Sequence, residues 1–353
     1  MWENMYNSFH PGQIWLDTEG KPIQAHGGSI MSLYGTYYWY GENKEKTTGE
    51  TPVWHWGVRC YSSTDLYNWS DRGIIIPPEP ENPNSTLHPY SKMDRPHILF
   101  NKKTGKFVCW LKIMDDANKT QSMTILTADY ILGPYKKIKE RFQPLGMDSG
   151  DFDLATDENG KAYIYFEKVH SEIICAELSD DYTDVTGQYS VHFPSPFPPY
   201  VREAPAHFSR DGKHYLLTSG TTAYLPNPSE IAVGDTVNGP FTVLGNPHPN
   251  DETNTSFHSQ ISCVFKVKEK ENLYIAMADR WLPGYMNLDY NEYKKLFEKF
   301  FNPDFKGEIN FNSIPKPKPG NVGENTSVAR YVWLPISFEN DYPQIHWMDE
   351  WKI

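Results

Sequence analysis

Four polar side chains in this sequence stand immediately before apolar stretches: Asp94, Asp151, Glu203 and Gln260. Glu203 has valine, alanine and proline within two residues of it, so we expect its carboxyl group to be partly buried. Burial raises the pKa of a carboxyl group and keeps it protonated, as a general acid requires. A carboxylate nearby would raise that pKa further by repulsion. These residue types therefore predict acid–base chemistry.

Each of these residues also has a purely structural alternative. Glu203 could form an ion pair with Arg202, and Asp94 could form a solvent-facing pair with the arginine that follows it. Gln260 could belong to a turn. Asp151 and Asp153 are two positions apart, so on a strand they would share one face, and one or both could point into a common site.

A short pattern recurs five times along the chain, at spacings of 52 to 70 residues. It consists of a turn residue, usually glycine, followed by a strand rich in aromatic and β-branched residues. Glycine suits the tight turn, and the other residues suit a pleated sheet. The copies are Gly35–Glu42, Gly105–Lys112, Gly160–Glu167, Gly212–Ser219 and Glu271–Ala278.

A repeat of this length with about four strands is typical of one blade of a β-propeller. We therefore predict an all-β, five-bladed β-propeller that forms a single domain over residues 1–353, with a helix around residues 290–301 as a decoration and no separate carbohydrate-binding module. The alternative, a β-sandwich, does not need five similar units. Because a propeller must close on itself, the segment near Trp15 should pair close to the C-terminal strands.

In such a propeller the four polar residues occupy equivalent points of blades two to five and would meet in one pocket on the axis. Acidic residues among many Trp and Tyr rings are typical of a sugar site, because rings stack on pyranose faces and carboxylates bind hydroxyls. Trp54, Trp56 and Trp281 are candidates for stacking, with core packing as the alternative. The full set of candidate substrate-binding residues is Asp94, Trp281, Arg280, Glu42, Trp54, Trp56 and His26.

Composition excludes several classes of partner. The net charge of −12 argues against nucleic acid and anionic membranes, and no apolar run is long enough to span a bilayer. We expect a monomer without a cofactor or catalytic metal, and a structural calcium on the axis remains open. No signal peptide is visible, so the protein is cytoplasmic unless a leader was removed, in which case it is secreted or periplasmic. Metal-ligand spacing is absent both among the cysteines, which are Cys60, Cys109, Cys175 and Cys263, and among the histidines His26, His97, His207 and His258. We expect the cysteines to be small buried residues.

Several short segments together resemble glycoside hydrolase family 43, and they cover nearly the whole chain. They are Arg202-Glu-Ala-Pro205, Asp151 with Asp157 and Gly160, Ala278-Asp-Arg-Trp281, Tyr61-Ser-Ser-Thr-Asp-Leu66 with Trp69, and Tyr331-Val-Trp-Leu-Pro335 with Trp347 and Trp351. The resemblance implies a five-bladed catalytic propeller. It also implies that Glu203 is the general acid and that Asp151 orients it and raises its pKa.

The first blade departs from the family pattern, because Ile23–Ile30 contains no Asp to activate water. In this the chain resembles a subgroup of exo-β-1,3-galactanases, and the resemblance implies that Gln260 holds the water, as the ordinary amide or as its imidic tautomer. That subgroup has Glu-Arg-Pro where this chain has Asp94-Arg-Pro. Asp94 is therefore a second candidate for activating the water.

The resemblance leads us to expect an inverting exo-glycosidase that removes terminal galactose from β-1,3-galactan or arabinogalactan of plant polysaccharide. One alternative is an α-L-arabinofuranosidase or β-xylosidase of the same family. A further alternative is a non-catalytic propeller that binds glycan.

Overall fold

The computed structural model describes residues 6–268, 270–309 and 323–353. These residues form five antiparallel sheets of four strands, and within each sheet the strands follow one another in chain order. The innermost strands of consecutive sheets contact one another, and the first contacts the last, so the ring is closed. The predicted five-bladed propeller is thus confirmed.

Blades one and two contain β1 (His26–Leu33), β2 (Thr36–Glu42), β3 (Val58–Ser63), β4 (Ser70–Ile76), β5 (Lys92–Asn101), β6 (Lys106–Asp115), β7 (Thr120–Ala128) and β8 (Lys136–Phe142). Blades three and four contain β9 (Ser149–Thr156), β10 (Ala162–Lys168), β11 (Glu172–Leu178), β12 (Val185–His192), β13 (Arg202–Arg210), β14 (Lys213–Gly220), β15 (Glu230–Gly234) and β16 (Thr242–Gly245). Blade five contains β17 (Gln260–Lys266), β18 (Tyr274–Arg280), β19 (Arg330–Glu339) and β20 (Tyr342–Ile345).

The five repeats of the sequence are the second strands of the blades: β2, β6, β10, β14 and β18. The glycines that open four of them have φ between 70° and 82°. Nothing lies within 4 Å of a Cβ built at these four positions, so backbone conformation rather than space requires glycine there. The rings that follow fill the interior of the blades, and Trp39, Trp110 and Tyr165 are fully buried.

The N-terminal segment closes the propeller against its last strands, as expected. Phe9 pairs with Trp351 through two backbone hydrogen bonds of 2.9 and 3.1 Å, and their rings stack with centroids 4.3 Å apart. Trp15 packs edge-on against Trp333 at 5.2 Å. These aromatic contacts bury apolar surface where the chain ends meet.

Buried pairs of histidine and aspartate join neighbouring blades around the axis. His97 in blade two lies 2.8 Å from Asp153 in blade three, whose other oxygen accepts a 2.6 Å hydrogen bond from the backbone N–H of His207 in blade four. His26 in blade one lies 2.9 Å from Asp279 in blade five. Within the described ranges, no group of three or more His, Cys, Asp and Glu side chains is arranged to hold a metal ion.

Helix α1 (Tyr290–Phe301) lies between β18 and β19, where the sequence predicted it. Asp289 caps its N-terminus by accepting a 2.8 Å hydrogen bond from the Asn291 N–H. Tyr293 is fully buried and packs with Leu288 beside Leu225 of the β14–β15 loop. No helix in the described part of the chain is long and apolar enough to cross a membrane. All four cysteines are buried and free.

Candidate active site

All five innermost strands carry a register irregularity close to the point where they enter the central cavity. Four of these bulges directly follow a candidate residue or contain it: they lie between His26 and Ser29, between Asp94 and His97, between Ser149 and Phe152 (around Asp151), and between Glu203 and Ala206. An extra residue in one strand bends it and re-aims the adjacent side chain. Arg95 and Ala204, inside two of the bulges, have φ of 56° and 49°, which is uncommon for residues other than glycine.

The bulges bring Asp94, Asp151, Glu203 and Gln260 to the floor of one cavity of about 350 Å³. This volume is at the lower end of the range for small-molecule sites. Glu203 in blade four is flanked by blades three and five and therefore faces blades one and two across the axis. We call Asp151, Glu203 and Gln260 the acid half of the floor, and Glu42, Lys44 and Asp94 the facing half.

Glu203 is partly buried, and its pKa is raised well above the ordinary value for glutamate. Burial is the largest cause, and the charges of Asp151 and Glu167 add to it. The neutral, protonated form of the Glu203 carboxyl group is therefore favoured. A protonated carboxyl group at the wall of a cavity can act as a general acid.

Asp151 has the opposite electrostatic character. Burial alone would raise its pKa, but the cations of Arg95 and Lys112 outweigh burial and lower the pKa to about 2. Lys112 Nζ lies 2.7 Å from one carboxylate oxygen, and an Arg95 nitrogen lies 2.9 Å from the other. Asp151 is thus a fixed anion next to a protonated Glu203.

Arg95 crosses the axis beneath the cavity. Its guanidinium group binds Asp151 of blade three, donates a 2.7 Å hydrogen bond to Gln260 Oε1 of blade five, and donates a 3.2 Å hydrogen bond to the Ile261 carbonyl. The side chain is only 4% exposed. It therefore closes the lower end of the cavity while holding two candidate residues in place.

Gln260 contacts the candidate acid directly. Its Nε2 donates to Glu203 Oε1 at 3.1 Å and to Ser219 Oγ at 3.0 Å, and its Oε1 accepts from Arg95 and from Trp281 Nε1 at 3.2 Å. An inverting site needs roughly 6.5–9.5 Å between the acid and the group that activates water. In this arrangement Gln260 is in direct hydrogen-bond contact with Glu203 and orients its carboxyl group.

An unusual backbone segment precedes Gln260. Ser256, Phe257 and His258 all have φ between 53° and 57°, in the left-handed region that costs about 1–2 kcal/mol per residue. Asp251 holds this segment by accepting hydrogen bonds from the Thr255 N–H at 2.7 Å and the Phe257 N–H at 3.3 Å. A strained backbone segment thus positions the Gln260 amide.

The facing half is built around Lys44, which is fully buried. Lys44 Nζ lies 2.7 Å from Glu42 Oε2 and 3.7 Å from Asp94 Oδ1. Asp94 also accepts a 2.6 Å hydrogen bond from Trp54 Nε1. The two carboxyl groups of this wall therefore share one cation, which lies behind the cavity lining.

Glu42 occupies the space beside the first strand of blade one. A Cβ built at Gly27 would lie 2.3 Å from Glu42 Oε1, so position 27 has no room for a side chain. The other contact of that oxygen is a 2.9 Å hydrogen bond from the Arg95 N–H. Burial raises the pKa of Glu42 to about 8, despite the opposing charge of Lys44.

Three aromatic side chains line one side of the cavity. Tyr224 lies between Trp54 and Trp281, with ring centroids 5.9 Å and 5.3 Å apart. The hydrogen bonds to Asp94 and Gln260 fix the orientation of both indoles. Two of the three predicted stacking candidates thus reach the cavity, and Tyr224 joins them.

The structure does not bring His26, Arg280 and Trp56 to the cavity lining. His26 has no exposed surface, and its ring is held by Asp279 and stacks on Tyr331 at 4.7 Å, so it supports the site from below. Arg280 donates to the Phe257 carbonyl at 2.8 Å, which ties down the strained segment. Trp56 lies under Lys46, whose Nζ is 3.3 Å from the ring centroid.

Sequence reasoning missed several residues of the floor, although a signal for them exists. Each of the first four repeats ends in a polar residue, and all of these lie at the site: Glu42, Lys112, Glu167 and Ser219. In the strand pairing, each of these residues lies opposite a candidate on the innermost strand or one residue away from that position. Lys112, for example, is paired with Asp94, and Ser219 is paired with Glu203. Only Glu42 of this set was predicted. Tyr224 lies in a loop without a comparable pattern.

Solved structures similar to this chain share its whole fold. A family 43 β-1,3-galactosidase is 28% identical with a TM-score of 0.75, and the match covers 99% of this chain and 64% of that one. Another β-1,3-galactosidase, solved with galactodeoxynojirimycin, is 28% identical with a TM-score of 0.76 over 98% of this chain and 100% of that one. An exo-β-1,3-galactanase from Phanerochaete chrysosporium, solved with β-1,3-galactotriose, is 25% identical with a TM-score of 0.78 over 98% of this chain and 68% of that one.

No curated protein matches the chain. The family model "Glycosyl hydrolases family 43" matches residues 21–283, about three quarters of the sequence. This range contains every residue of both halves of the cavity floor. The chain therefore belongs to glycoside hydrolase family 43.

Proposed function

We propose that this protein is an inverting exo-glycosidase that releases terminal galactose from β-1,3-linked galactan chains. The observation that carries the proposal is the floor of the cavity, where a protonated Glu203 beside a fixed anion, Asp151, faces a second carboxyl group, Asp94, across the propeller axis. Two opposed carboxyl groups, one to protonate the leaving oxygen and one to activate water, are what glycoside hydrolysis by inversion requires.

Glu203 donates its proton to the glycosidic oxygen as the bond to the leaving sugar breaks. Asp151 does not share this proton, because Arg95 and Lys112 keep its pKa near 2. Its charge acts on Glu203 by raising the pKa of the acid, which favours the protonated form. Gln260 orients the Glu203 carboxyl group through the 3.1 Å hydrogen bond.

Asp94 activates the attacking water in this mechanism. The imidic tautomer of Gln260 would need a hydrogen on Oε1, yet that atom accepts hydrogen bonds from Arg95 and Trp281. Those two donors stabilise the ordinary amide form. Asp94 lies in blade two, across the axis from Glu203, and its side chain is 12% exposed to the cavity.

The closed floor supports an exo mode of attack. Arg95 blocks the axis below the reacting groups, so a chain cannot pass through and only one of its ends can reach them. The wall of Trp54, Tyr224 and Trp281 offers apolar faces for the terminal sugar. The choice of galactose rests on the two β-1,3-galactosidases and the exo-β-1,3-galactanase to which the chain is similar.

The test is to incubate the purified protein with β-1,3-galactotriose and follow the first-formed product by proton NMR. We expect galactose released as the α-anomer, and release of the β-anomer would contradict inversion. Nitrophenyl arabinofuranoside, xyloside and galactoside assayed in parallel discriminate among the sugars. Binding of galactotriose by calorimetry without any product would instead support a non-catalytic propeller.

Glu203→Gln should lower kcat on galactotriose by about 10²–10⁴-fold, since general acid catalysis typically contributes that much. Activity on galactosyl fluoride should remain, because fluoride leaves without a proton. The matched control is Glu177→Gln, which removes a carboxylate paired with Lys161 on a surface strand. Equal loss on both substrates would remove Glu203 from the acid role.

A further inference from the structure

Helix α1 lies outside the range matched by the family model, which ends at residue 283, yet two of its side chains line the cavity. These are Phe297 and Phe301, near the C-terminal end of the helix. Nothing in the mechanism above uses them. The aromatic wall described above lies on the loops of the propeller, whereas these two rings come from an element inserted between strands of blade five.

The contacts of α1 place it over one particular side of the cavity. At its start the Tyr290 N–H donates to the Thr253 carbonyl at 3.1 Å, near the entrance to blade five. Farther along, Glu298 accepts a hydrogen bond from Tyr200, which precedes the first strand of blade four. At its end the Phe301 ring meets the His170 ring edge-on at 5.1 Å, at the tip of the β10–β11 hairpin of blade three. The helix therefore runs along blades five, four and three, above the acid half.

The acid half is the side of the leaving group. In an inverting reaction the acid protonates the departing oxygen, and water attacks from the opposite face of the sugar. The sugar that departs must therefore lie on the side of Glu203, while the facing half receives the water. Because the floor is closed, this departing sugar also lies nearer to the mouth than the terminal sugar.

Phe301 and His170 are at the mouth. Phe301 is 40% exposed, and His170 is exposed as well, whereas Phe297 is partly buried against Leu225 and Tyr293. The His170 backbone is itself held by a 2.8 Å hydrogen bond from its N–H to Glu167 Oε1. We call Phe297, Phe301 and His170 the helix platform.

We propose that the helix platform is the binding site for the first sugar of the leaving group, held by stacking of its apolar face on Phe301. The proposal rests on the proposed exo-glycosidase function and deepens it. The helix platform makes this enzyme prefer substrates whose leaving group is a pyranose over those with a small leaving group. It acts by binding, and it takes no part in the proton transfers.

Phe301→Ala tests the platform, and Phe300→Ala is the matched control, because Phe300 neighbours it on the same helix, is 76% exposed and does not line the cavity. The two substrates are β-1,3-galactobiose, which has a sugar as leaving group, and β-galactosyl fluoride, which has a single atom. We expect Phe301→Ala to lower kcat/KM for the disaccharide roughly tenfold, in line with the loss of one aromatic contact, and to leave the fluoride unchanged. Phe301→Tyr should retain the wild-type ratio.

Equal loss on both substrates, no loss on either, or the same loss in Phe300→Ala would overturn the helix platform. These outcomes differ from failure of the proposed function. Wild-type protein that releases arabinose or xylose instead of galactose would overturn the choice of sugar, and the disaccharide and fluoride of that sugar then test the platform in the same way. Wild-type protein that releases no sugar from any substrate would overturn both proposals.

Discussion

The acid half and the facing half of the cavity floor have similar contents but different electrostatics. In the acid half, Arg95 and Lys112 both contact Asp151, whose pKa falls to about 2, and leave Glu203 with a raised pKa. Two carboxyl groups side by side thus take opposite protonation states. Asp151 is the ionised group because both cations contact it, each within 2.9 Å.

In the facing half a single cation serves two carboxyl groups. Lys44 lies closer to Glu42 than to Asp94, at 2.7 against 3.7 Å, and yet burial still raises the pKa of Glu42 to about 8. One lysine does not offset the burial of a carboxyl group that is 1% exposed. The number of nearby cations per carboxyl group, together with burial, therefore decides which carboxyl group is an acid and which is an anion.

The largest expected effect concerns which half activates the water. Asp94→Ala should lower kcat on galactotriose by about 10²–10⁴-fold, and sodium azide should restore activity by taking the place of the water, with α-galactosyl azide as the product. Gln260→Ala should lose activity as well, because it releases Glu203, but azide should not restore it. The measurement is product formation with and without azide, followed by NMR.

Asp129→Ala is the control for the azide experiment, since Asp129 lies in the same blade, pairs with Lys106 on the surface and does not line the cavity. Azide rescue of Gln260→Ala together with no rescue of Asp94→Ala would reverse the assignment. The water would then be held in the acid half, and the comparison between the halves would fail as an account of the mechanism.

A smaller effect tests how the acid half sets the protonation of Glu203. Asp151→Asn removes an anion that raises the pKa of Glu203 and leaves Arg95 and Lys112 without their partner, and both changes lower that pKa. The alkaline limb of the kcat/KM profile should therefore move to lower pH, by about one unit or more. Asp180→Asn, an exposed change in the same blade, should leave the profile in place.

The fold could be predicted from the sequence because the same sequence pattern recurs in every blade of the propeller. Each second strand carries the same run of turn residue and buried rings, so five weak patterns reinforce one another. The floor was predictable to the extent that polar residues stand at the start of the innermost strands, as Asp94 and Glu203 do. A residue such as Tyr224, on a loop between strands, has no periodic position from which its place at the cavity could be inferred.

Contacts across the axis were the part that the sequence could not supply. Gln260 lies in the blade next to that of Glu203 and bonds to it, a contact that no pattern in the sequence indicates. His26 stands at the right point of blade one, but the bulge after it and the carboxyl group of Asp279 turn it away from the cavity. Such outcomes depend on packing between blades distant in the chain.

The smallest expected effect on activity is that of Glu42→Gln. Because the pKa of Glu42 is raised to about 8, wild-type Glu42 is neutral at pH 6, and glutamine keeps its size and an acceptor for the Arg95 N–H. Activity at pH 6 should stay within about threefold of wild type, since a surplus neutral hydrogen bond is worth about 1 kcal/mol or less. Stability should respond more than activity does.

Between pH 4.5 and 8 the unfolded chain has an ionised Glu42 and the folded protein a neutral one, so the folded state binds one more proton. Its stability therefore falls as the pH rises through this window, and the contribution is fully present only below the unfolded pKa of 4.5. In Glu42→Gln the melting temperature should fall less steeply between pH 5 and 8 than in wild type, as measured by calorimetric scans at fixed ionic strength. Parallel curves for the two proteins would mean that Lys44 keeps Glu42 ionised, and burial would then not decide the protonation of Glu42 in the facing half.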